Sequence, residues 1–150
     1  MKELSHRLQI SLLWIYLAVG TPAALALVVI SPGVMREFLR TGAYQGTEIT
    51  DAMTVQLAVF VIVPLLMAYL VTVLPIVVNR WTNVVLGLAM AVFDGMDLVE
   101  HLGNGNGAFG GEVLLTMTMV VVSLAIAWLG FRLPVATHPV VQAERELAHH

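Results

Sequence analysis

The chain has no cysteine, and that absence removes disulfide frameworks, Cys-ligated zinc, iron–sulfur clusters and thiol catalysis. Charge is almost as scarce: 11% of the 150 residues are Asp, Glu, Lys or Arg, against roughly 25% in an ordinary soluble domain. Seven Lys or Arg and a net charge of −3 leave no basic surface for nucleic acid. Intrinsic disorder needs low hydrophobicity with high charge, the reverse of what is seen. The length admits one compact domain and excludes a large enzyme. What the chain has in excess is apolar residues, 59% of the total with a mean hydropathy of +0.88. That balance belongs to an integral membrane protein.

A charge at the bilayer centre costs roughly 2.5–3.5 kcal/mol even on the lenient insertion scale, so uncharged runs mark membrane spans. Such runs cover 28 residues from Leu8 to Met35, 28 from Ala52 to Asn79 and 19 from Val113 to Phe131. Each meets the roughly 17–25 residues that a spanning helix requires. After Arg80 only 13 residues, Trp81 to Phe93, precede Asp94; carried on to Leu98 the segment reaches 18 and ends acidic. It reads as a fourth span, with a re-entrant segment as the alternative. The pattern predicts an all-α, up-down-up-down four-helix transmembrane bundle with spans at 8–30, 52–78, 81–98 and 113–131. One domain over 1–132 is followed by a cytoplasmic tail over 133–150. Lys2, Arg7, Arg80, Arg132 and Arg145 then share one side and Arg36 and Arg40 the other, which predicts cytoplasmic termini. Lys2, Arg7 and Ala24-Leu25-Ala26 have the look of a signal peptide, but the apolar run continues through Leu27-Val28-Val29-Ile30, so a retained anchor is expected.

Ser31-Pro32 reads as a helix start, and Val34, Met35, Phe38 and Leu39 fall on one face opposite Arg36, Glu37 and Arg40. This predicts a short interfacial helix in the outer leaflet, ended by Gly42 and Gly46, with Asp51 capping the next span. Pro22, Pro64 and Pro75 fall inside the first two spans and free the carbonyls of Ala18, Phe60 and Val71. Gly20 and Ala24 offer a small-residue face for close helix contact.

Two stripes carry the polar residues of the later spans. Asn83, Gly87, Met90, Asp94, Asp97 and His101 share one helical face, and Glu112, Thr116, Met119, Ser123, Ala127 and Gly130 share another. Antiparallel neighbours would meet along them and gather Asp94, Asp97, His101 and Glu112 at the outer mouth. Clustered carboxylates with one imidazole suit a divalent cation or a proton; alternatively they simply face headgroups and water. No other cofactor is expected. Bis-histidine haem needs two intramembrane His, and only His101 lies near a span.

The most distinctive string is Asn79-Arg80-Trp81-Thr82-Asn83, at the turn between the second and third spans. Arg80 is placed to meet anionic headgroups, Trp81 to anchor at the interface, and the two Asn to cap helix ends. With Pro75 before it and Gly87 after it, the string resembles a family of small bacterial four-span integral membrane proteins, a domain of unknown function. The resemblance extends over Gly46 to Gly87 and to Leu12-Leu13-Trp14-Ile15. It implies the four-helix fold and a bacterial inner membrane, and no activity.

Three functions are compatible with these residues. The first is a non-enzymatic accessory protein, a homo-oligomer or a subunit of a larger membrane complex, whose partners are lipid and other membrane helices. The second is a cation or proton transporter or sensor using the outer carboxylates. The third is a membrane enzyme on a lipid or quinone, with Asp94, Asp97 or His101 as acid or base. Composition ranks them in that order.

Overall fold

A computed structural model describes residues 2–30, 32–44, 47–48, 50–103 and 111–133. Five helices account for nearly all of it: α1 (Lys2–Val29), α2 (Pro32–Thr41), α3 (Asp51–Val73), α4 (Ile76–Gly103) and α5 (Gly111–Phe131). Between α2 and α3, β1 (Ala43–Tyr44) and β2 (Thr47–Glu48) form a minimal antiparallel pair, Ala43 opposite Glu48 and Tyr44 opposite Thr47. Four helices are long and apolar enough to cross a membrane, over Glu3–Leu27, Asp51–Val73, Ile76–Val99 and Val113–Phe131. The third of these is no re-entrant stub: α4 has 28 residues, about 42 Å at 1.5 Å per residue.

Burial runs opposite to that of a soluble protein. Asn79, Asn83 and Ser123 are fully buried and Asp94 is 6% exposed, while Leu39, Val121 and Val99 stand in the open. An apolar exterior around a polar seam is stable where the surrounding solvent is hydrocarbon.

Helix boundaries follow local chemistry. Gly42 adopts φ +68° and its N–H bonds the Phe38 carbonyl at 2.8 Å, the left-handed cap expected at the end of α2. The expected stop at Gly46 and the Ser31 cap lie outside the described residues. The cap of α3 is Thr50 and not Asp51: the Thr50 hydroxyl accepts from the Met53 N–H, and Asp51 occupies the first turn. Asp51 still favours that end, because its carboxylate sits near the positive pole of the helix.

The second span ends earlier than its uncharged run. Proline disfavours helix for the residue before it, so α3 closes at Val73, Leu74 turns extended, and α4 starts at Ile76. Pro75 therefore separates two helices instead of kinking one. Pro22 and Pro64 do lie within α1 and α3.

Lateral packing follows the order α3–α1–α5–α4: α4 lies along α5, and α1 contacts both α3 and α5. Ile10, Trp14 and Leu17 of α1, spaced 4 and 3 apart, are fully buried against Met67, Ala68 and Val71 of α3 and against α5. Gly20 lets α1 approach α5, since a Cβ there would lie 3.3 Å from the Met119 sulfur. Among the described residues α3 and α4, although consecutive, share no such packed face. They meet through an edge-on contact of Phe60 with Phe93, ring centroids 5.6 Å apart.

Candidate functional site

The two stripes meet as their spacing requires. A Cβ on Gly87 would lie 2.9 Å from the Ala127 nitrogen and 3.0 Å from the Ser123 carbonyl oxygen; one on Gly130 would lie 2.8 Å from the Asn83 Cβ. Without a driving hydrophobic effect between helices in lipid, such backbone contact is what joins them. The seam then brings the Ser123 hydroxyl to Asp94, donating to Oδ2 at 3.0 Å.

At one end of the molecule, marked by Pro75, the seam is closed by a polar network. Trp14 Nε1 donates to Asn83 Oδ1 at 2.7 Å, and Asn83 Nδ2 donates to the Asn79 carbonyl and side-chain oxygens at 2.6 Å each. Asn79 Nδ2 in turn donates to the Val71 carbonyl at 2.9 Å. That carbonyl is the one Pro75 leaves free, and Arg7 Nη1 reaches it at 3.3 Å and the Leu74 carbonyl at 2.9 Å. Glu3 holds the guanidinium in place from one turn away, at 3.0 Å. Asn79 thus caps a helix end as expected, whereas Asn83 is a fully buried link between α4 and α1. The link to Trp14 is invisible in the sequence, because 69 residues separate the partners.

Away from Pro75 a cavity of about 560 Å³ opens among the five helices. Its wall is mostly apolar: Leu25 and Ala24 of α1, Val34 and Phe38 of α2, Leu57 and Phe60 of α3, Phe93 of α4, and Met119 of α5. Polar groups on the wall are few, among them Thr21, Thr54, Gln56, Thr116, Asp94 and Asp97. The amphipathic α2 therefore turns Val34 and Phe38 toward the bundle, while Leu39 stays exposed. The volume falls within the roughly 300–1,000 Å³ of small-molecule sites, whose walls are likewise apolar with a few polar groups.

Of the four residues expected to gather, Asp94 and Asp97 share the cavity wall, one buried and one exposed. The side chains of His101 and Glu112 lie outside the described residues. Among the described residues no three of His, Asp or Glu come together as a metal set. Sequence reading missed the α2 and α3 walls. Thr54 and Gln56, polar positions near the start of the second span, were the available signal. Chemically the wall offers hydrogen-bond acceptance: an ionised carboxylate has about four acceptor sites, and Ser123 uses one at Asp94.

The sequence model of a family described as a family of unknown function (DUF6326) matches residues 2–133. The chain belongs to that family. The match agrees with the resemblance carried by Asn79 to Asn83, and it spans all four long apolar helices. No curated protein and no solved structure matches the chain. The family carries no assigned activity, so chemistry has to be argued from the cavity.

Proposed function

We propose that the protein binds a small single-chain amphiphile drawn from the bilayer, with the apolar tail in the cavity and a cationic or hydrogen-bond-donating head at Asp94. The observation that carries this reading is a buried carboxyl on the wall of an apolar cavity of about 560 Å³. A carboxylate away from water is costly unless matched by a donor or cation, and the Ser123 hydroxyl supplies one neutral donor. Asp97 on the same wall adds negative potential, which favours a positive head and disfavours an anionic one.

Placement in the membrane belongs to the same reading. Lys2, Arg7, Arg80 and Arg132 at one end against Arg36 and Arg40 at the other favour both termini on the cytoplasmic side, and the resemblance carried by Asn79 to Asn83 favours a bacterial inner membrane. The cavity then opens in the outer half of the bilayer.

The test is thermal unfolding of the protein in lipid nanodiscs with decylamine, decanol and decanoate, equal in chain length and different in head charge. Decylamine is expected to raise the midpoint of the native protein and not that of Asp94→Asn, with decanoate inactive. Equal responses from the native protein and Asp94→Asn, or no response to decylamine, would overturn the proposal.

A second reading, cation or proton handling at Asp94 and Asp97 by a transporter or sensor, is favoured by the placement of a buried acid within a span. Stabilisation by a divalent cation without any amphiphile, lost in Asp94→Asn, would bring it to the front. The accessory-subunit reading rests on the broad exposed apolar faces, which suit lipid and partner helices equally. Co-purification of a stoichiometric partner with an empty cavity would support it.

A further inference from the structure

We propose that the Pro75 end of the α4–α5 pair holds the headgroup of an anionic phospholipid between Arg80 and Arg132. This site is separate from the cavity and does not depend on the amphiphile reading. The Arg80 guanidinium carbon lies 4.8 Å from the Phe131 ring centroid and 5.8 Å from that of Trp81. Arg132 stacks in the same way on Trp128, at 4.4 Å. Trp81, Trp128 and Phe131 are all exposed, at the level where aromatic rings border headgroups.

The helix packing puts these groups at one place. Gly130 lies so close to α4 that a Cβ there would be 3.3 Å from the Arg80 carbonyl oxygen, and Arg132 follows two residues later. A guanidinium resting on a ring face turns its N–H edge outward, so stacking leaves the planar fork free for an oxyanion. Arg80 Nε is itself buried without a hydrogen-bond partner, so the Nη edge of that guanidinium is the one an oxyanion reaches. Among the described residues no carboxylate pairs with Arg80 or Arg132. Arg7, by contrast, is occupied by Glu3 and by the carbonyls around Pro75.

Two stacked guanidiniums with no counter-charge among the described residues, at a hydrocarbon boundary, call for an anion, and bidentate phosphate is the geometry they fit. A zwitterionic headgroup brings its own cation to the same place, so a net negative lipid is preferred. Two basic groups near the surface justify a preference on the order of tenfold.

The experiment uses the native tryptophans as reporters. The full chain is reconstituted in vesicles containing acyl-brominated phosphatidylglycerol or acyl-brominated phosphatidylcholine, and fluorescence quenching is followed against mole fraction. Trp81 and Trp128 are exposed and will report, while Trp14 is buried. Phosphatidylglycerol is expected to quench half-maximally at a mole fraction on the order of tenfold lower. Arg80→Gln/Arg132→Gln should abolish that preference, and Arg80→Lys/Arg132→Lys should retain part of it because the charge stays and the fork is lost. Equal quenching by the two lipids in the native protein would overturn the proposal, whether or not the variants fold. An unchanged preference in the folded Gln pair would do so as well. Millimolar inorganic phosphate is expected to leave the phosphatidylglycerol preference in place; its disappearance at that concentration would overturn the lipid assignment in favour of a free anion.

Discussion

The two ends of this bundle treat buried polar groups in opposite ways. At the Pro75 end, Trp14, Asn79, Asn83 and the Val71 carbonyl satisfy one another, with Arg7 added from α1. At the cavity end, Asp94 has the Ser123 hydroxyl and then an apolar void. Both ends bury polar atoms on the same α4 stripe, yet one is a closed circuit and the other has acceptor capacity to spare. A closed circuit fixes geometry; an unfilled acceptor on a cavity wall recruits something. The Val71 carbonyl that Pro75 leaves free is part of the closed circuit, and among the described residues the cavity end has no equivalent.

The contrast is sharpest where helices touch backbone to backbone. Gly87→Leu forces side-chain atoms into the Ala127 nitrogen and the Ser123 carbonyl, so a loss of about 3 kcal/mol, the upper part of the overpacking range, is expected. Reversible unfolding in mixed micelles measures it; a loss below about 1 kcal/mol would mean that α4 and α5 are not locked at this seam.

Next comes the closed circuit. Asn83→Leu leaves the Trp14 N–H and the Asn79 side-chain oxygen without their partner, at an expected cost of about 2 kcal/mol. Trp14→Phe removes the donor from the other side, so the double variant should cost less than the sum of the singles. Additive losses in the same unfolding assay would show that the 2.7 Å bond is not coupled to stability.

Asp94→Asn reverses the pattern. The amide oxygen still accepts from Ser123, so the unfolding free energy should move by less than about 1 kcal/mol, while the decylamine response disappears. If Asp94→Asn destabilised as much as Asn83→Leu, the two ends would be alike and the cavity end would be structural. Ala24→Trp fills the void from α1 and should block decylamine with the same small effect on stability, read in the same titration. Smallest is Asp97→Asn, at an exposed position: stability within about 0.5 kcal/mol and a modest weakening of decylamine binding. Complete loss of binding in that variant would move the head-group contact from Asp94 to Asp97.

Much of this architecture was legible in the residues. Uncharged runs located three spans and the acidic-ended segment after Arg80 was read as the fourth, while the 4-and-3 spacing of small and polar residues selected the faces by which α4 and α5 meet. Both readings succeed because hydrocarbon excludes charge and because only small residues allow backbones to touch. The boundaries that failed were decided by local chemistry that charge counting ignores: Pro75 ended α3 before Asn79, and the Thr50 hydroxyl capped α3 where a carboxylate was expected. Asp94 was singled out as one of four residues of an outer cluster, by its place on the polar stripe of α4. Its partner and the void beside it were not readable.

By itself the sequence determined the fold class, the number of long apolar helices and the seam between the last two, since these follow from solvent exclusion and helical period. Only the tertiary structure decided which polar groups are paired and which face a cavity. Trp14 meets Asn83, and Val34, Leu57 and Phe93 share one wall, because α1 packs on both α3 and α5 while α4 lies along α5. Contacts of that kind join residues far apart in the chain, and no local spacing encodes them.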